Sequence, residues 1–524
     1  MIRKVTVPLA MARARTDIEM QKHSLIAVAV ALFAAGCTMA PKYHRPDEPV
    51  TANFPTGGVY DTQPGAASAS RTANGQAAAD IGWRDFFADA RLQRLIEIAL
   101  KNNRDLRVSV LNIQASQAQY QITRAALFPT LNAAASQSKQ RTPKDLTSTG
   151  LTISNTYSVG LNASWEIDFF GRIQSLKDQA LAQYLATAQA RKAAEIALVS
   201  QVANQYMTVL EVDDLLKVTQ NTLKTAQESY RIAKLQFDNG TGSELDLRQS
   251  ETVVDQAQAN LQSQARLRAQ ADNALVLLVG EPLPDDLPPG MTLDNQNLLT
   301  DVPAGLPSDL LTRRPDIMEA EENLLAANAN IGAARAAFFP KVSLTGSFGT
   351  LSPTLGGLFK PGSAAWSFAP SITLPIFEGG ANKANLDLAT VQKNIQIATY
   401  EKAIQTAFRE VADGLAARGT YDQQIQALER NTFAEQRRLD LSDLRYKNGV
   451  DSYLSVLTAQ NDLYISQQLL VTARMQRLQN LVTLYQALGG GWIGRAGEQP
   501  RPADAPVDYG AASAPVAASA ATAS

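Results

Sequence analysis

From Arg172 to Asp238 the chain runs 67 residues without a glycine or a proline. At a rise of about 1.5 Å per residue, a continuous helix of that length is roughly 100 Å long. A second stretch, Ala381 to Lys447, lacks proline and holds only Gly414 and Gly419. Globular helices average about 10 to 14 residues, so segments this long demand a rod, a bundle or a tube. They are also copies of one another. Phe237-Asp-Asn-Gly240 recurs as Tyr446-Lys-Asn-Gly449 at an offset of 209. In the helices that follow, Leu247, Val254, Leu261, Arg268 and Leu275 fall seven apart, and Val456, Leu463, Leu470, Arg477 and Leu484 stand at the same offset. A seven-residue spacing kept up in this way marks helices packed along their length. Arg124 with Phe128-Pro129 and Arg335 with Phe339-Pro340 repeat at an offset of 211, so a short insertion or deletion separates the two matches. A tandem duplication organises the chain.

Each copy interrupts its helices with segments of period-2 alternation, the pattern of a strand with two unlike faces. Tyr157, Val159, Leu161, Ala163, Trp165 and Ile167 alternate with Ser158, Gly160, Asn162, Ser164 and Glu166. In the second copy Val342, Leu344 and Phe348 alternate with Lys341, Ser343, Thr345 and Ser347, and Trp366, Phe368, Ile372, Leu374 and Ile376 with Ser367, Ser371 and Thr373. A weaker fourth run lies near Pro129 to Gln140. The lengths suit the roughly 9 to 11 residues of a tilted membrane strand. A soluble sheet with one buried face would alternate similarly. In hydrocarbon, however, an open sheet edge leaves backbone groups unpaired, so spanning strands must close into a barrel. Known spanning barrels begin at about eight strands, so several chains must each contribute four.

The ends of the chain read differently. Lys22 and His23 precede an apolar run from Leu25 to Ala35, and Ala34-Ala35-Gly36 leads into Cys37, the single cysteine. This is the pattern of a secretory signal with a small-residue cleavage site. It is too short for a membrane-spanning helix, which needs about 20 apolar residues. The basic stretch Met1–Glu19 does not read as a signal, which puts the expected translation start at Met20. Residues 1–36 are read as the signal peptide, 37–80 as an extended anchored segment, and 81–280 as the first structural repeat. Residues 281–315 are read as a linker, 316–492 as the second repeat, and the Ala-, Ser- and Pro-biased 493–524 as a disordered tail.

Composition excludes several function classes. Lys plus Arg number 48 against 50 Asp plus Glu, a formal net charge of -2, so no basic footprint for nucleic acid exists. Both histidines, His23 and His44, lie near the N-terminus, leaving the body of the chain without its commonest general base or metal ligand. One cysteine allows neither an internal disulfide nor a cysteine-rich metal site. The carboxylate pairs Asp309/Asp316 and Glu319/Glu322 read as solvated helix faces. No catalytic residue, cofactor or resident metal is expected, and the chain reads as a non-enzyme.

An ordered series of motifs carries a family resemblance from about Cys37 to Trp492. It comprises Cys37 with Pro41-Lys-Tyr43 and Pro46; Trp83-Arg-Asp-Phe-Phe87 with Asp89, Leu92, Leu95, Asn103 and Asp105-Leu106; and Gly305-Leu-Pro-Ser-Asp-Leu-Leu-Thr-Arg-Arg-Pro-Asp316, running on through Glu319-Ala-Glu321 to Phe339-Pro340. The chain resembles the outer membrane factors, the TolC-like outer-membrane efflux proteins, in their nodulation-type lipoprotein branch. The resemblance implies a mixed α and β fold: a homotrimer with a twelve-stranded transmembrane β-barrel, an equatorial collar and a long periplasmic α-helical tunnel. It implies a periplasmic adaptor and an inner-membrane transporter, usually proton-driven, as partners. Cys37 would be the acylated first residue of the mature protein, and Thr38, where an aspartate would retain the product at the inner membrane, favours outer-membrane sorting. Ala34 departs from the leucine common in relatives.

By the same resemblance, Asn239-Gly240 and Asn448-Gly449 are tip turns of the tunnel, where the adaptor docks and the closed pore is narrowest. Leu454 matches a constricting position. Thr458 stands where many relatives carry a gate aspartate, and Asp451 lies near enough to contribute charge. The residues themselves fit tight helix reversals, the Asn-Gly pair supplying positive φ. Arg313-Arg314 is read as a structural salt link before a helix starting at Pro315.

The expected function is a passive outer-membrane duct for small toxic compounds or drugs. Export of metal cations or protein, or a pore-less lipid-anchored periplasmic coiled-coil scaffold, are the alternatives.

Overall fold

The computed structural model describes residues 38–60, 77–143, 145, 153–299, 305, 307–498 and 502. Cys37, the signal region and Met20 lie outside the described residues, as does the expected tail beyond Glu498 apart from residue 502. The elements run α1 (Trp83–Phe86), α2 (Ala90–Asn102), α3 (Arg104–Ala125), β1 (Thr130–Arg141), β2 (Ile153–Ile167), α4 (Arg172–Asp238), α5 (Glu244–Val279), α6 (Pro307–Arg313), α7 (Pro315–Ala336), β3 (Lys341–Ser352), β4 (Ala364–Thr373), α8 (Ala381–Lys447) and α9 (Tyr453–Ala487). Both long helices form over 67 residues with the expected bounds. Among the described residues no helix is long and apolar enough to cross a membrane.

The residues form two compact units, and neither coincides with a sequence repeat, since each draws on both copies. One takes Ala115–Leu185 and Glu322–Ala398 with the N-terminal stretch up to Arg45; the other takes Pro46–Gln114, Ala186–Glu321 and the chain from Thr399 onward.

The first unit holds a four-stranded antiparallel sheet in the order β1-β2-β3-β4. The middle pair, β2 and β3, come from different repeats, so duplication assembled one sheet from two hairpins. The weak fourth run is β1, with its register set by Thr130 opposite Ser164 and Arg141 opposite Ile153. Residues 38–45 belong to this unit and lie against its helices. Asn328 donates to the Pro41 carbonyl at 2.8 Å and Arg335 to the Met39 carbonyl at 3.3 Å. Gly332 makes the approach possible, because a Cβ there would stand 2.7 Å from the Ala40 nitrogen. The extended segment thus takes its order from α7, satisfying its backbone on a neighbour.

The second unit buries the core. Phe86 stacks on Tyr485 at 4.1 Å between ring centroids, Phe87 packs edge-on, and the Tyr485 hydroxyl donates to the Ile81 carbonyl at 2.6 Å. Asp89 caps α2 by accepting from the Arg91 and Leu92 amides, and its other oxygen takes the Tyr206 hydroxyl, the Met291 amide and the Gln296 side chain. A carboxylate buried this deeply is stable only with such a set of donors. Asn103 caps α3 through Leu106 N and reaches the Leu278 carbonyl. The family motif near the N-terminus is therefore core and capping. Ile493–Ala496, assigned by composition to the tail, are held instead. The Ile493 and Gly494 carbonyls accept from Trp83 N and Arg84 N, amides of the first turn of α1 that have no partner within the helix.

Candidate channel surfaces

The sheet separates its chemistry by face. On one side, in register across the strands, stand Ser136, Ser158, Asn162, Ser164, Ser343, Thr345, Ser347, Ser367 and Ser371. Three cross-strand hydroxyl pairs, Ser136–Ser158, Ser343–Ser371 and Ser347–Ser367, each meet at 2.7 Å. On the other side lie Leu131, Leu161, Phe348, Trp366, Phe368 and Ile372, all exposed in the single chain. Monomeric soluble proteins rarely expose an apolar patch of this extent. Both edge strands also leave a row of backbone groups open. The polar face is that of a wetted lumen, and the apolar face that of a lipid contact.

The helix reversals repeat one geometry. Gly240 and Gly449 sit at φ 73° and 72°. Gly240 N donates to the Phe237 carbonyl and Thr241 N to the Gln236 carbonyl, while Gly449 N and Val450 N do the same to Tyr446 and Arg445. These are the paired bonds of a Schellman C-cap. The asparagines do not share the positive φ expected of the pair; Asn297 is the one non-glycine residue with positive φ among the described residues. Asn239 and Asn448 instead donate from their side chains to the Leu235 and Leu444 carbonyls, each at 2.7 Å. Only glycine escapes the Cβ penalty there, so the asparagine is free to cap.

The two reversals also meet. The Tyr446 hydroxyl and Gln236 Oε1 lie 3.2 Å apart, and Tyr446 packs on Tyr453 with ring centroids 5.1 Å apart. Burial pushes the Tyr453 hydroxyl up to about 12, so it stays neutral.

Of the gate candidates, Leu454 is exposed. The Thr458 hydroxyl bonds back to the Leu454 carbonyl at 3.0 Å. Asp451 accepts from Arg445 at 2.8 Å. Its charge is therefore shared within the turn, which sequence spacing did not reveal because the partner lies across the reversal. Nearby, a polar cleft of about 700 Å³ opens between α4, α8 and α9, lined by Asn221, Lys224, Glu228, Gln436, Asp440 and Gln460 among others. No group of residues able to hold a metal ion occurs among the described residues.

Arg314 is buried, with ion pairs to Asp316 at 2.6 Å and Glu410 at 2.8 Å, and it also donates to the Ala487 carbonyl. Burial opposes its charge, but these acceptors prevail and its pKa is raised. It ties the start of α7 to α8 and the end of α9, as the structural reading of the Arg-Arg pair expected.

The outer membrane efflux protein family matches the chain twice, over residues 95–281 and 306–490, once per repeat. The antibiotic efflux pump outer membrane protein ArpC of Pseudomonas putida is 47% identical over 478 residues, covering 91% of this chain and 97% of its own. The toluene efflux pump outer membrane protein TtgC of Pseudomonas putida matches to the same extent. Among solved structures, the open state of the Neisseria gonorrhoeae MtrE outer membrane channel is 43% identical with a TM-score of 0.77, covering 88% of this chain and 100% of that one.

Proposed function

The chain belongs to the outer membrane efflux protein family, and from that membership we propose that it works as a homotrimeric exit duct fed from the inner membrane. It is an outer-membrane channel of an efflux pump. The observation that carries the trimer is the two-faced sheet: four strands with open edges, polar on one side and exposed apolar on the other. Three copies pair β1 of each chain with β4 of the next, remove every edge, and close a twelve-stranded barrel within the size range of spanning barrels. The serine and threonine face then lines water, and the Leu, Phe and Trp face meets lipid.

The helices form the periplasmic tunnel, with the Gly240 and Gly449 reversals at its tip. A periplasmic adaptor docks there, with the polar cleft between α4, α8 and α9 offering it hydrogen-bonding groups. The inner-membrane transporter, a proton-driven pump, supplies the energy. Leu454 narrows the closed aperture, and Asp451 tightens its own turn through Arg445 more than it presents charge. Cys37 carries the acyl anchor. The cargo is small and toxic, in the class of the antibiotics and toluene for which the two relatives are named.

Deleting the gene should raise its host's sensitivity to such compounds, and restoring the chain should reverse the effect. Unchanged susceptibility in a strain lacking other efflux ducts would contradict the reading.

A further inference from the structure

The apolar face of the sheet carries two charged residues across its four strands, and both are basic. β1 presents Leu131, Ala133 and Ala135 to that face, then Gln137, Lys139 and Arg141. The other charged residues of the strands, Glu166 and Lys341, register on the opposite, polar face. Lys139 and Arg141 are exposed, and neither has an ion-pair partner among the described residues. They stand at the hairpin end of the sheet, away from the ends that join α3, α4, α7 and α8.

Their height follows from the register. Trp165, bonded to the Leu127 carbonyl at 3.0 Å, marks the helix end of the apolar face. Tyr157, opposite Gln137, marks its hairpin end. Eight residues separate the two aromatic side chains on β2, about 26 Å along the strand at roughly 3.3 Å per residue, which a strand tilt of about 40° reduces to roughly 20 Å along the barrel axis, just inside the roughly 25 Å apolar band of a membrane barrel. Aromatic residues mark both interfaces of such a band. Lys139 and Arg141, two and four residues beyond the Tyr157 level, add about 5 and 10 Å of height at that tilt, which brings them to the edge of the apolar band and into the headgroups. Around them Gln137, Tyr157 and Asn155 offer hydrogen-bonding groups on the same face.

Resting on the channel reading above, which puts the hairpin end outside the cell, we propose that Lys139 and Arg141 form a binding site for the phosphorylated headgroup of an outer-leaflet glycolipid. Arg141 supplies a planar fork matched to phosphate oxygens and Lys139 a compact point charge. The neighbouring amides and the tyrosine hydroxyl suit sugar hydroxyls. The face carries no acidic residue to repel the phosphate, and a closed trimer repeats the site three times around the barrel. Two cations that merely reach for water at a membrane boundary would attract any anionic headgroup alike and would not draw on the neighbouring amides and tyrosine hydroxyl.

The test uses the full-length chain in mild detergent, with channel conductance recorded on the same preparation. The chain is titrated with diphosphorylated lipid A and with the same lipid after phosphate removal, and bound lipid is counted by native mass spectrometry. The expected result is tight binding of the phosphorylated lipid alone. The double variant Lys139→Gln, Arg141→Gln should weaken that binding roughly thirtyfold while conducting normally. The charge-preserving exchange Lys139→Arg, Arg141→Lys should retain most of the affinity. A conducting native chain that binds both lipids equally, or a neutral variant that binds as tightly as the native chain, would overturn the site and leave the channel standing. A native chain that is monomeric and does not conduct would overturn the channel reading and this inference with it.

Discussion

Arg477 donates from Nε to Asp422 Oδ1 at 2.5 Å, across 55 residues of chain. Arg268 makes the same bond to Asp213 across the same separation, so the arginine that repeats within the apolar heptads brings its carboxylate with it. The pair joins each long helix to the shorter helix that folds back along it. Arg268 also meets Asp272 and is the less exposed of the two arginines. Partly exposed pairs of this kind contribute about 0.2 to 1 kcal/mol. Arg477→Ala should therefore cost about 0.5 kcal/mol and Arg268→Ala nearer 1 kcal/mol, read as shifts of the urea midpoint. A larger loss at Arg477 than at Arg268 would contradict this ordering.

Arg314 should be far less tolerant. Removing one partner of a buried ionic network costs about 3 to 5 kcal/mol, though Asp316 and Glu410 keep some contact with water. Arg314→Ala is expected to lose about 3 kcal/mol and to lower the yield of folded protein. Arg314→Lys should recover only part of that, because an ammonium cannot serve both carboxylates and the Ala487 carbonyl with one planar fork. Full recovery by lysine would show that charge alone matters there.

Glu211 predicts a pH effect. Burial raises its pKa above the ordinary 4.5, and the hydrogen bond from the Thr472 hydroxyl opposes that rise. A carboxyl whose folded pKa is raised favours the folded state when protonated. Its contribution therefore falls as pH climbs from the ordinary value through the raised one, and is level above that. Glu211→Gln keeps an acceptor for Thr472 and removes the charge. The variant should be more stable than the native chain at neutral pH and equal to it at low pH, measured by urea unfolding across the range. A variant less stable at neutral pH would show that the Glu211 charge stabilises the fold.

Leu454 is exposed at the start of α9, beside a reversal whose own charge is paired. Leu454→Ala should increase leak through the closed channel, seen as greater spontaneous conductance and greater uptake of drugs normally held outside the cell. Unchanged conductance and uptake would remove Leu454 from the aperture.

Much of this organisation was legible in the residues. Glycine and proline are so disruptive inside a helix that their absence marked the first long helix, and the second was marked by the absence of proline and by its match to the first, with Gly414 and Gly419 carried inside it. Alternation of serine with large apolar residues located β2, β3 and β4, because the two faces meet different solvents. β1 was fainter, since Ala133, Ala135 and Ser138 offer little contrast between faces. What stayed hidden depends on contacts between distant segments. The seating of residues 38–45 against Gly332 and the bonds from α1 to Ile493 and Gly494 have no local pattern. The Asp89 site was visible as a motif, yet its five donors come from α2, α4 and the loop before α6. Only the fold shows that they converge.

Closure of one pore by three chains is read out by planar-bilayer conductance of the detergent-purified protein with its mass determined on the same sample. The expected result is a trimer that gives discrete conducting events. A monomer that inserts no conductance would contradict it and leave the open-edged sheet without a means of sitting in a membrane.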